Sequence, residues 1–174
     1  KNAEAYGTAS PCKVSIEKNV DTLKKQGTKS HVVIGYILSK TINKDKPQPV
    51  PLENGTMVFD GRIYPANKQA SDAEVAAKRL RQDREETIRA FIREVEGDFS
   101  IVVAEKERLI AGRDALGVRP LYYGENGGLA ALASERKALW KIGIEKTASF
   151  PPGHIATVTE NGFRFKPAKV LRYS

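Results

Sequence analysis

The sequence predicts an α+β domain built on mostly antiparallel sheets. Short apolar runs follow one another in meander order, and two adjacent stretches within residues 71–95 carry helical periodicity. A third sign is ENGG (125–128), a hairpin turn in which Asn126 and Gly127 tolerate the positive φ of tight loops.

The elements follow in order. KVSI (13–16) is a short strand candidate, and VDTLKKQGTKS (20–30) reads as a helical turn or loop. HVVIGYILS (31–39) is β-branched and apolar, as a buried strand should be. TINKDKPQPVPLENG (41–55) is expected as a loop because of its prolines, and TMVFD (56–60) as a strand ended by a turn at Gly61. SDAE (71–74) has the capping-box form and predicts a helix to about Arg81. A second helix over Arg84–Val95 aligns Ile88, Phe91, Ile92 and Val95 on one face. DFSIVVAEK (98–106) is apolar on both faces, which predicts a central strand covered on both sides. LIAGR (109–113), LYYG (121–124) and LAALAS (129–134) are further strands. Ser134 is expected to cap a short helix through Trp140, and HIATV (154–158) and FRF (163–165) close the chain.

Composition narrows the function classes. The 174 residues are 40% apolar and 29% charged, enough for one domain with a real core. No run of about 18 apolar residues predicts a membrane span. No signal-peptide pattern opens the chain and Cys12 is the only cysteine, so a cytoplasmic setting without disulfides is expected. The net charge of +8 raises nucleic-acid binding. However, in KRLRQDREETIRAFIREVEGD (78–98) acidic residues alternate with the basic ones, as on a solvated helix face. Lys24, Lys25, Lys29, Lys40, Lys44 and Lys46 are less compensated, but no stacking aromatics lie among them. A basic nucleic-acid-binding module is the least favoured reading.

Catalytic motifs are scarce. GENGGLA lacks the Lys-Ser/Thr of a phosphate loop. His31 and His154 with one Cys cannot build a zinc site, so no metal is expected. Cys12 has no base nearby in sequence and reads as an inert thiol. RDALGVRPLYYG (113–124) places Arg113, Asp114 and Arg119 around a glycine turn. The expectation is architecture, with a buried Arg113–Asp114 interaction holding that turn.

Several stretches together resemble a known family. RDALGVRPLYYG, ALASERKAL (131–139) and FPPGHIATV (150–158) are similar to the second half of class II glutamine amidotransferase domains. The glutaminase domains of asparagine synthetases are the nearest likeness. EGDFSIVVAEKERLIAGRD, MVFDGRIYP (57–65), SDAEV (71–75), QPV (48–50) and KNAEAYG (1–7) match that family's order across the chain. The resemblance implies an N-terminal-nucleophile fold, a four-layer αββα sandwich of two mostly antiparallel sheets. It also implies a chemistry: an N-terminal Cys thiolate attacks the glutamine amide with its own α-amine as base. An Asn side chain and the next Gly N–H form the oxyanion hole, while Arg and Asp hold the glutamine's α-carboxylate and α-amine.

Carried over by position, the oxyanion Asn is Asp60 and its glycine Gly61. The family's Glu in the same motif is Arg62, and the amine-binding Asp is Asp72. The carboxylate-binding Arg falls at Ile37 or Leu38, and no Arg precedes Arg62. Asp72 also suits the first turn of a helix. The family's first strand and Cys belong ahead of the loop that KNAEAYG resembles. Residues 1–174 are therefore expected to be one domain without that nucleophile, without a synthetase domain and with no glutaminase activity of their own. The implied partners are L-glutamine and a synthetase domain or subunit, with a homodimer left open. No cofactor is expected. A degenerate glutaminase domain and an inactive structural or regulatory module both fit these departures.

Overall fold

Nine residues of one strand organise the chain. In the computed structural model, which describes residues 5–6, 32, 34, 36–37, 47–66, 69–80 and 83–171, β5 (Glu96–Ala104) is a central strand. It pairs on one side with β4 (Gly55–Tyr64) and on the other with β6 (Leu109–Arg113), both antiparallel. β3 (Val50–Leu52) borders β4, and β10 (His154–Thr159) and β11 (Gly162–Pro167) extend the other end, giving the order β11-β10-β6-β5-β4-β3. A second sheet has the order β8-β7-β9, from β7 (Tyr122–Asn126), β8 (Leu129–Ala133) and β9 (Thr147–Ser149). A two-residue pair joins β1 (Ala5–Tyr6) to β2 (Tyr36–Ile37).

Two helices cover the large sheet. α1 (Asp72–Arg79) starts on the expected capping box, with Ser71 Oγ accepting from the Glu74 N–H and Glu74 accepting from the Ser71 N–H. α2 (Arg84–Glu94) is capped by Asp83 and ends at Val95. Ile88, Phe91, Ile92 and Val95 pack with Ala73, Ala76 and Leu80 on Met57, Phe59, Ile63, Phe99, Ile101, Val103 and Ile110. Phe99 stacks on Phe59 at 5.7 Å and meets Phe91 edge-on at 5.0 Å, the favoured arrangements of aromatic rings.

The opposite face of the sheet carries Ala111, Ala156 and Val102, which join Phe163 and Phe165 against Tyr123, Leu132, Leu121 and Phe150 of the second unit. Tyr123 thus points inward. Strand alternation turns its neighbours Tyr122 and Gly124 outward, where Arg136 lies over the Tyr122 ring and Ile144 closes on Gly124. The short helix α3 (Arg136–Lys141) therefore covers the outer face of the small sheet. The layers run helix, sheet, sheet, helix, as the sequence resemblance implies. No helix among the described residues is long and apolar enough to cross a membrane.

Several expectations need correction. The 41–55 stretch contains β3, because Pro51 sits in an edge strand where a missing N–H costs no ladder bond. β4 does not turn at Gly61 but continues to Tyr64, in register with β5 throughout. The short helix is capped at Glu135, not Ser134, and makes no side-chain cap bond. β9 was not expected at all. The strand at 13–16, the 20–30 segment, Cys12, His31 and most of 31–39 lie outside the described residues.

The charged face of α2 is only partly solvated. Glu86 pairs with Arg89 and Arg93 in the open. Glu85 instead turns to the β10–β11 hairpin, accepting from Lys166 Nζ and Thr157 Oγ1, both at 2.6 Å. These bonds outweigh burial and lower its carboxyl to about 2, from 4.5. The stability gained is complete above 4.5 and is lost as pH falls from there toward 2. Glu85→Gln is expected to cost about 1–2 kcal/mol at neutral pH. It should also flatten the acid limb of the stability profile measured by chemical denaturation; an unchanged acid limb would contradict this role.

Candidate active site at the open end of the large sheet

Alternation along β4 separates two chemistries. Met57, Phe59 and Ile63 face the helices, and Asp60, Arg62 and Tyr64 face the other way. The register sets Asp60 opposite Ser100, itself opposite Arg113 of β6, and Arg62 opposite Asp98. Cross-strand neighbours lie about 5 Å apart, so a polar patch forms where the apolar inter-sheet core ends.

Gly61 makes this close pairing possible. Its φ is +146°, and a Cβ there would lie 2.0 Å from the Asp98 carbonyl oxygen and 2.6 Å from Phe99 Cα. Only glycine fits. Its position between Asp60 and Arg62 is thus fixed by the packing of Phe99, whatever its chemical role.

Asp72 reaches the patch from the first turn of α1. It is 4% exposed, and its Oδ2 lies 3.6 Å from an Arg62 terminal nitrogen. That separation is an ion pair too long for a hydrogen bond. Asp72 Oδ1 is buried with no hydrogen-bond partner. Arg62 also donates to the Gly61 carbonyl at 3.2 Å.

The loop after β6 supplies the rest. Arg113 is buried and donates to the carbonyls of Gly117, Arg119 and Phe150 at 2.6–2.7 Å and to Ser149 Oγ at 3.0 Å. Burial lowers its pKa, against the pull of the neighbouring Asp114. Asp114 accepts from the N–H groups of Phe99 (3.2 Å), Leu116 (2.9 Å) and Gly117 (2.7 Å). The expected Arg113–Asp114 interaction is therefore corrected: no ion pair joins them, because successive residues at a strand end point apart. Each holds backbone instead. The loop so fixed brings Arg119 back to the sheet, where its Nε donates to Asp98 at 2.8 Å and its guanidinium lies 4.0 Å from Asp60. Tyr64 donates to the other Asp98 oxygen at 2.6 Å, which raises the phenol pKa.

Of the expected site residues, Asp60, Arg62 and Asp72 come together and Gly61 lies between the first two. Asp98 and Tyr64 were missed, and Arg119 was expected only as part of the turn's architecture. The available signal was Asp98, a carboxylate opening an otherwise apolar strand. Ile37 lies in β2 opposite Ala5, and Leu38 is outside the described residues.

A family model described as a glutamine amidotransferase domain matches residues 38–141. The chain belongs to the glutamine amidotransferase domain family. Glutamine-hydrolysing asparagine synthetase 2 of Arabidopsis thaliana is 39% identical over 100 residues, covering 56% of this chain and 16% of that protein. The Zea mays glutamine-hydrolysing asparagine synthetase is 37% identical over 133 residues, 67% of this chain and 22% of that one. This amidotransferase chain thus spans less than a quarter of either relative. Among solved structures, the glutamine phosphoribosylpyrophosphate amidotransferase of B. subtilis, complexed with ADP and GMP, superposes with a TM-score of 0.65 at 20% identity. The match covers 78% of this chain and 34% of that one, and it shows the shared N-terminal-nucleophile fold.

Gln48 braces the candidate site from the sheet edge. Its side chain donates to the Phe59 carbonyl at 2.9 Å and accepts from the Phe59 N–H at 2.7 Å, standing in for a strand next to Asp60. Gln48→Ala leaves both buried groups unpaired and is expected to cost about 2 kcal/mol in chemical denaturation. Gln48→Glu should not rescue it, since a carboxylate cannot donate to the carbonyl; an unshifted midpoint in either variant would contradict this bracing.

Proposed function

We propose that the chain is the glutamine-recognising domain of an asparagine-synthetase-like protein in which glutamine hydrolysis is slowed by its own active-site residues. Asp60 carries the proposal. Attack on an amide drives negative charge onto its oxygen, and amidotransfer needs preorganised donors there. The resemblance assigns the Asp60 position to an Asn that donates. A carboxylate accepts only.

The magnitudes favour a large effect. A lost oxyanion donor costs about 3 kcal/mol, and a like charge at about 4 Å adds up to roughly 4 kcal/mol at an effective dielectric near 20. Asp60 is 41% exposed and has Arg119 at 4.0 Å, both of which screen the repulsion. A net deficit of about 3 kcal/mol, or a hundredfold in rate, remains from the donor alone. In this reading L-glutamine is the ligand of the site and a synthetase domain or subunit takes the nitrogen, with free ammonia as the faster source.

Steady-state ammonia release by the full-length protein tests this. Asp60→Asn is expected to raise kcat for glutamine about a hundredfold with little change in KM, since the new donor acts mainly on the developing oxyanion. An unmodified protein already as fast as its Asp60→Asn variant contradicts the proposal.

A further inference from the structure

Asp72 Oδ1 poses an open question of hydrogen-bond accounting. A carboxylate oxygen buried without a partner is costly, and native structures rarely keep one without a reason. The facing Arg62 guanidinium does not satisfy it, because it approaches Oδ2 and stops at 3.6 Å. A donor small enough to enter beside Arg62 would complete Asp72.

The exposures give that donor a direction. Asp72 is 4% exposed and Arg62 is 34% exposed, so the pair grades from a buried negative group to a positive group open to solvent. A ligand matching both carries its cation inside and its anion outside, a short distance apart. That is the head group of an α-amino acid, whose ammonium supplies the missing donor and whose carboxylate suits the planar fork of a guanidinium. Arg62 has the reach, since it stands on the polar face of β4 beside Asp60 and opposite Asp98.

We propose that Arg62 is the carboxylate clamp of this site: an α-amino-acid head group seats between Arg62 and Asp72, carboxylate on the guanidinium and ammonium on Asp72 Oδ1. The choice of an amino acid rests on the amidotransferase reading above; the assignment of Arg62 rests on the geometry. It places the cation that recognises the carboxylate on β4, whereas the resemblance expects it at Ile37 or Leu38. The Arg62–Asp72 contact is then the resting state of the site. Ligand entry then gives Asp72 Oδ1 the hydrogen bond it lacks.

Isothermal titration of the full-length protein with L-glutamine and with L-glutaminamide, which lacks the α-carboxylate, separates the claims. The unmodified protein is expected to prefer glutamine by about tenfold or more. Arg62→Ala should weaken glutamine binding by a similar factor, leave glutaminamide binding nearly unchanged and so erase the preference. Arg62→Gln, which keeps the length of the side chain, should do the same if the alanine variant fails to fold. A preference for glutamine that persists in a folded Arg62 variant overturns the clamp and leaves the amidotransferase reading standing. An unmodified protein that binds neither compound overturns both.

Discussion

A buried guanidinium with no carboxylate of its own organises the site. Arg113 stands at the end of β6 on the large sheet and donates across to Ser149 and Phe150, which belong to the small sheet's side of the core. Its other donors hold the carbonyls of Gly117 and Arg119. One side chain thereby fixes the spacing of the two sheets and the path of the loop between them. Asp114 closes the same loop from its N–H side and ties it to Phe99 of β5. Desolvating these two charges is expensive, and the backbone dipoles they collect offset that cost. The consequence appears some distance away, where Arg119 is delivered to Asp98 and into range of Asp60.

This arrangement explains why the polar patch tolerates so many charges at the edge of an apolar core. Asp98 receives both Tyr64 and Arg119, so neither of its oxygens is left bare. Asp72 is matched less well: its contact with Arg62 is 3.6 Å long and its Oδ1 is unbonded. The well-satisfied part of the patch is scaffold. The poorly satisfied part is where a ligand gains most by binding.

Much of the fold was legible in the sequence because local signals and tertiary demands agree. The apolar face of α2, the box at Ser71–Glu74 and the two-faced apolar run of β5 all lie where the local signals put them. The failures share a cause: the local signal was real but a partner elsewhere decided the outcome. Gly61 looks like a turn, yet it is glycine because Phe99 and the Asp98 carbonyl press on it from β5. Pro51 looks like part of a loop, yet in the edge strand β3 its missing N–H costs no ladder bond. At the site, Asp60, Arg62 and Asp72 were legible through resemblance to a family motif. Arg119 was not, because its position depends on the loop that Arg113 and Asp114 hold.

The central claim is that the domain recognises glutamine and that the full-length protein hydrolyses it slowly, and a single rapid-mixing experiment on the unmodified full-length protein addresses both halves. Glutamine binding would be followed by intrinsic fluorescence and ammonia by quench at the same time points. The account predicts saturable binding within the first second, with ammonia released at roughly a hundredth or less of a typical enzyme turnover of about 10 per second. Ammonia release that keeps pace with binding at about 10 per second contradicts it.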